Sequence, residues 1–357
     1  HLHASSFYSY VAQVKDHYQS MLELEEYYTN LLNDELEYST EEVQSFKNGL
    51  QDTRNQKEWN ENILELAEKE KWSEALGFSI KIINQHLEVN EKAGNELFPE
   101  EHVLALKQEK LLFQELAYLN IAPDMEGYER YGFTYVYRVM DSLYPTFFVF
   151  IITVFLTEIF VSNYKNGSNV ELILPSPYKN ILIIKVLYSL LASVLLYIAT
   201  LMFSFVLASL ITGIGSLQYP IPLYSENTID TVPIWRIIGE TFTLHLLSIL
   251  DIVFIVSIIS HIAKNRMITL LVTIVIIIGC SVGARSLEVF HPLLHLNPFT
   301  YFLATDVVTN ELVYETGNSN INFINGVFYL GILATVLLSV TLVLVQQQEK
   351  RQMLGRV

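Results

Sequence analysis

Apolar residues recur along this chain with two different spacings. Over residues 5–120 they come at three- and four-residue steps. Phe7, Val11, Val14, Tyr18, Met21, Tyr28 and Leu32 follow this rule with acidic residues between them, the period of an amphipathic helix. Ser39-Thr40-Glu41-Glu42 has the form of a capping box, with Ser39 as cap and Glu42 three positions on. A second helix is therefore predicted through Val43, Phe46, Leu50, Trp59 and Ile63. Trp72, Leu76, Ile80, Ile83 and Leu87 mark a third, stopped near Gly94. Pro99-Glu100-Glu101 opens a fourth, which carries Val103, Leu106 and Leu112 and ends before Pro123. Beyond residue 140 the polar interruptions vanish. Five runs, 143–161, 181–212, 234–263, 267–284 and 323–345, are apolar almost throughout. Each supplies the roughly 20 helical residues that cross a bilayer core, and the second and third are long enough to tilt or project. Residues 128–142 are crowded with tyrosine and carry Arg130 and Arg138. Such residues gather where membrane meets water, so an interfacial helix is predicted there. The fold class is all-α: an N-terminal helical domain over 1–127, then a polytopic helical membrane domain over 128–357.

Charge divides the chain at nearly the same place. Residues 1–140 hold 12 Lys+Arg against 26 Asp+Glu, a net of −14, whereas residues 141–357 hold 10 against 12, a net of −2. Cys280 is the single cysteine, which excludes a disulfide scaffold. No basic patch exists to offset phosphate charge, so nucleic acid is excluded as a partner. The acidic surface of the first domain suits a solvated face, with attraction of cationic peptides as the functional alternative.

The loops assign an orientation. Lys165, Lys179 and Lys185, then Lys264-Asn265-Arg266, then Lys350, Arg351 and Arg356 fall on one side if all five runs cross. The opposite loops, 213–233 and 285–322, carry Glu226, Asp230, Glu288, Asp306, Glu311 and Glu315 against Arg285. Basic loops face the cytoplasm. The tail 346–357 is therefore expected inside and residues 1–140 outside the cell. Five crossings with an inside C-terminus predict a further span ahead of residue 1, six in all. The Asn-, Ile- and Lys-containing, cysteine-poor composition is compatible with a bacterial source.

Ionisable groups at bilayer depth are costly and default to functional hypotheses. Asp251, in the middle of 234–263, is the strongest candidate. It belongs either to a transport path or to an interhelical lock, or it is a carboxyl hydrogen-bonded to a neighbouring helix for packing, the reading that is favoured. His245 lies six residues earlier and off that face, so no His–Asp relay is implied. Arg236 and Glu240, four apart, pair on one face. Glu158 lies one turn from the end of its span and either snorkels to the interface or positions the loop that follows. His291 and His295 share a helical face at a metal-pair spacing, but no third ligand completes a set.

The loop 162–180 has a short amphipathic piece (Val170, Leu172, Ile173, Leu174), then Pro175-Ser176-Pro177, then Lys179. It reads equally as an ordinary loop or as a segment on the membrane surface that offers one face to a cytoplasmic partner. Here the chain resembles the type-2 ABC-transporter permeases. These carry Gly-Thr/Ser, Glu-Leu-Leu and a Pro-x-[Ser/Pro]-[Arg/Lys] stretch between their second and third spans. Gly167, Ser168, Glu171, Leu172, Pro175 and Lys179 match, as does Lys185. One additional residue separates Ser168 from Glu171, and the acidic residue usual before the glycine is missing. Leu296-Asn297-Pro298-Phe299 is similar to the family's turn between short helices that dip into the outer leaflet before the last span.

The resemblance covers about residues 128–350 and makes 1–127 an extracellular insertion. It implies that 165–177, with Leu174 and Pro177, is a coupling helix docked on an ATP-binding subunit. It also implies that a second permease copy completes the assembly. No G-x-x-x-x-G-K-[ST] loop occurs in the chain, so ATP and Mg belong to the partner, and this chain binds no cofactor and catalyses no reaction. The expected function is a permease subunit exporting an amphipathic peptide, antimicrobial, drug or lipid. The alternative is a membrane-anchored sensor or immunity protein whose outer helices bind a peptide or drug. An intramembrane enzyme would need paired catalytic residues at matching depths, and Asp251 stands alone.

Overall fold

A computed structural model describes residues 9–33, 38–125, 127–165, 168–169, 171, 177–224 and 230–353. The chain divides into two compact units, His1–Tyr131 with Gln218–Pro222 and Ile229–Thr231, and the remainder from Gly132 to Val357.

The first unit is a bundle of four helices: α1 (Tyr10–Asn33), α2 (Thr40–Glu68), α3 (Trp72–Lys92) and α4 (Glu100–Leu119). The capping box at Ser39 forms as the sequence predicts. Its Oγ accepts from the Glu42 backbone N–H at 3.2 Å, and Glu42 Oε2 accepts from the Ser39 N–H at 2.8 Å. Two otherwise orphaned donors at the start of α2 are thereby satisfied. At the other end of the bundle α4 stops at Asn120, which adopts the left-handed conformation (φ 52°), and its Oδ1 accepts from the Ser73 N–H at 2.9 Å. That bond ties the end of α4 to the start of α3. Glu25 on α1 is gripped from α2 by Lys57 and by Arg54 at 2.8 Å, and these bonds hold its carboxyl below the usual range. Residues of the apolar stripes read from the sequence meet inside: Val14, Ile63, Leu76, Ile83 and Leu106 are buried, and Leu116 joins them.

The second unit is all helical apart from short hairpins, and five of its helices are long and apolar enough to cross a membrane: Gly132–Val161, Tyr178–Thr212, Ile234–Ala263, Arg266–Gly283 and Phe323–Gln348. The chain is an all-α polytopic membrane protein. These five spans are called first to fifth. The third is the central one, packed against each of the other four. The second, fourth and fifth turn apolar faces outward, with Leu191, Phe203, Leu271, Val275, Ile324 and Phe328 exposed. Such faces suit hydrocarbon.

The tyrosine-rich stretch expected as an interfacial helix leading into the first span is helical from Gly132. Gly132–Val161 is one continuous helix in which Val139–Phe148, with Pro145 inside it, is a π-helix. No glycine or proline interrupts 133–144, so nothing in that stretch ends the helix. Gly132 lies so close to the end of the second span that a Cβ would fall on Ser209 Oγ and lie 2.9 Å from the Phe205 ring. The Gly132 N–H donates to the Gly213 carbonyl at 3.0 Å there.

Between the fourth and fifth spans lie two 3-10 helices, Glu288–Leu296 and Pro298–Phe302, and two short α-helices, Ala304–Val308 and Glu311–Thr316. His291 and His295 do not share a face as the α-helical reading expects. A 3-10 helix has about three residues per turn, which separates positions four apart. Each ring is engaged elsewhere, His291 Nε2 at 2.8 Å from the Arg285 carbonyl and His295 Nδ1 at 3.1 Å from Asn318 Nδ2. Arg285 staples this region, with Nη1 2.5 Å from Asp306 and Nη2 2.6 Å from Glu315 and 3.5 Å from Glu311.

Candidate functional site

Two features of the membrane unit bear on function: the region around the hairpin after the first span, and a polar cluster at the heart of the bundle. The hairpin is a two-residue ladder, β1 (Tyr164–Lys165) against β2 (Ser168–Asn169), with Tyr164 opposite Asn169. Glu171 follows it and is buried. A buried carboxylate needs a partner, and Glu171 has several. Lys185, two turns into the second span, places Nζ 2.9 Å from its Oε1, and Asn163 Nδ2 donates to the same oxygen. The Lys185 ammonium also stands 5.9 Å from the Phe160 ring of the first span. Tyr164 Oη lies 3.4 Å from His261 Nδ1 near the end of the third span, and the Tyr178 ring is 6.4 Å from that imidazole. Glu158 reaches Arg266 at the start of the fourth span at 2.9 Å. The hairpin is thus tied to the second and third spans, and the fourth begins beside it.

Of the sequence-predicted coupling residues, Glu171 is drawn into this network. Pro177 caps the second span and Lys179 lies exposed in its first turn. Ser168 is placed in β2 by its backbone. Gly167, Leu172, Leu174 and Pro175 lie outside the described residues. Glu158, left open between two roles by the sequence, pairs with Arg266 while both side chains stay more than half exposed. Arg236 and Glu240 form the expected pair at 2.8 Å.

The central cluster was largely invisible in the sequence. His245 is fully buried and lies face to face with Tyr144 of the first span, ring centroids 3.4 Å apart. Tyr197 of the second span sets its hydroxyl 2.6 Å from His245 Nδ1. Tyr144 Oη donates to the His245 carbonyl at 2.9 Å and lies 2.5 Å from Ser248 Oγ. Three spans are pinned here by side chains 48 and 101 residues apart, too distant for any local pattern to show. The signal available was narrower: two tyrosines and a histidine inside otherwise apolar runs.

Asp251 sits on the third span and is also fully buried. The hydrogen bond to a neighbouring helix that the packing reading requires is not made. Neither carboxyl oxygen has a partner among the described residues, and the same is true of His245 Nε2. Unpartnered buried hydroxyls occur on the flanking spans too: Thr157 on the first, Ser189 and Ser193 on the second, Thr269 and Thr273 on the fourth. The last two pairs are each four residues apart and share a helix face. Buried polar atoms without partners are uncommon, and each asks for an explanation.

Beside the cluster an apolar pocket of about 180 Å³ opens between the first and second spans. Leu143, Phe147, Ile151 and Leu201 line it, and Tyr144 and Tyr197 form part of its wall. This arrangement offers an apolar group a slot walled in part by two aromatic rings. Of the outer turn expected at Asn297, Pro298 and Phe299, Asn297 lies between the two 3-10 helices and Pro298 and Phe299 open the second. Asn297 Oδ1 accepts from the Phe299 N–H at 3.2 Å, and its Nδ2 donates to the Cys280 carbonyl at 2.7 Å, anchoring the turn to the fourth span. Among the described residues no three His, Cys, Asp or Glu side chains are placed to hold a metal ion. No family model, no curated protein and no solved structure matches the chain.

Proposed function

We propose that this chain is the membrane subunit of an ATP-driven exporter of the type-2 ABC permease kind. A separate ATP-binding subunit, carrying ATP and Mg, drives it by pressing on the hairpin segment 162–180. The observation that carries this reading is the buried Glu171, joined to Lys185 at 2.9 Å and to Asn163, in a hairpin that also engages His261. A load applied to such a segment passes directly into the second and third spans. An unattached surface loop would not be wired in this way.

In this reading the hairpin, the turn at Lys264–Asn265 and the C-terminal tail face the cytoplasm of a bacterial cell, and the N-terminal helices lie outside. The outward apolar faces of the second and fifth spans receive lipid or a second permease copy. The pocket at Tyr144 and Tyr197 takes the apolar part of an amphipathic peptide, drug or lipid, and Asp251 lies on the path it follows. The chain itself supplies binding and movement, and hydrolysis belongs to the partner.

The test is co-purification with the ATP-binding subunit encoded beside it. A stable complex with magnesium-dependent ATP hydrolysis is expected. Lys185→Met, which keeps the aliphatic stem, should leave hydrolysis running while export falls at least tenfold. Export by this chain alone, without ATP, would overturn the proposal.

A further inference from the structure

The first unit has an open cavity of about 300 Å³ between its four helices. Each helix contributes a stripe at helical spacing: Tyr10, Val14 and His17 from α1, Asn60 and Ile63 from α2, Ser79, Ile83 and His86 from α3, and His102, Leu106, Glu109 and Phe113 from α4. These are the inward faces that should be apolar throughout in a closed bundle. Instead each turn of apolar wall alternates with a polar group. The floor is made of packed, buried side chains. Tyr10 hydrogen-bonds Ser79 through its hydroxyl, and its ring meets Phe113 edge-on at 5.6 Å. Ile63, Ile83, Leu106 and Phe113 are buried.

The polar groups higher in the cavity are open. Glu109 has no hydrogen bond or ion pair among the described residues, and neither has His86. No lysine or arginine lines the space. Burial, helped by the neighbouring His17 and His102, holds His86 below the usual imidazole range and disfavours its cationic form. Glu109 is exposed at the mouth, where partial desolvation lifts its carboxyl above the usual range. A carboxylate there gains from any cation brought to it.

We infer that this cavity is a binding site for an amphipathic organic cation, an amine with an apolar body. The apolar body lies against Ile63, Ile83 and Phe113, and the ammonium pairs with Glu109 and donates to His86 or His102. Cavities of this size and lining are those that hold small molecules. The net charge of −14 over residues 1–140 draws cations towards the unit. The inference stands on the first unit alone and does not depend on how the spans work.

The test uses the full chain in lipid nanodiscs, with empty discs as the blank, and three probes of one shape: phenylbutylamine, phenylbutanol and phenylbutyrate. Saturation-transfer NMR and calorimetry should find the amine bound more tightly than the alcohol. Glu109→Gln should weaken the amine about tenfold, the scale of one charge-assisted bond, and leave the alcohol unchanged. Unchanged alcohol binding also reports that the variant keeps its cavity. Ile82 also lines the cavity, and Ile82→Trp, which fills the space, should remove both. Preference for phenylbutyrate would make the histidines an anion site and overturn the inference. So would equal amine binding to the wild type and Glu109→Gln, amine binding that survives Ile82→Trp, or no binding of any probe to the folded protein.

Discussion

At Asp251 two opposed costs can be compared. An unsatisfied buried polar group costs about 1–3 kcal/mol. Trimming the carboxyl to a methyl leaves a small void, at about 24 cal/mol per Å³ well under about 1 kcal/mol. Asp251→Ala should therefore raise the melting temperature of the protein in nanodiscs while export falls, and a lower melting temperature would show that the carboxyl has a partner. Glu311 gives a pH-dependent counterpart. Burial first, and then Asp306, push its carboxyl to about 7, from 4.5 for an unperturbed side chain. The folded protein thus holds a proton that the unfolded chain has released. Its contribution to stability is full below about pH 4.5 and is lost as pH rises through about 7. Glu311→Gln should gain in melting temperature relative to wild type at about pH 8 and not at about pH 5. Equal differences at both would place the carboxyl in an ordinary, solvated setting.

Single elements were the best-read level. The capping box was legible because both of its hydrogen bonds are local, spanning three residues. Ser39→Ala should cost about 1 kcal/mol, visible as earlier thermal loss of helical circular dichroism. The five spans were legible because hydropathy over about 20 residues leaves few alternatives. Helix pitch was not: hydropathy treats a π-helix and an α-helix alike, so the ten-residue stretch Val139–Phe148 left no trace in it. Close approach was equally hidden. Nothing around Gly132 in the sequence announces that Ser209 and Phe205 fill the space where a side chain would go. Gly132→Ala should part the start of the first span from the end of the second. The expected readout is faster hydrogen exchange of the Gly132 and Phe133 amides, which donate to Gly213 and Ile214. Unaltered exchange would mean that Ser209 simply rotates away.

For the whole molecule, long-range pairing is the part a sequence conceals. Glu158 and Arg266 are separated by a whole pair of spans yet touch, and His245 meets rings from two other spans. Neither meeting leaves a periodic trace, whereas the charge bias of the loops had already grouped those ends. In a Cys280→Ser background, thiols at Ser162→Cys and Met267→Cys should react alike towards an impermeant reagent. Glu288→Cys, beyond an 18-residue span, should behave oppositely. A split between the first two would break the fold, and labelling of both from outside intact cells would reverse the orientation. The π-helical stretch has a geometric consequence of its own. Its wide turns hold more residues than the α-helix on either side, so the pitch of the first span changes where Tyr144 and Phe148 stack 5.4 Å apart. The rings that meet His245 and Tyr197 are therefore presented by widened turns rather than ordinary ones.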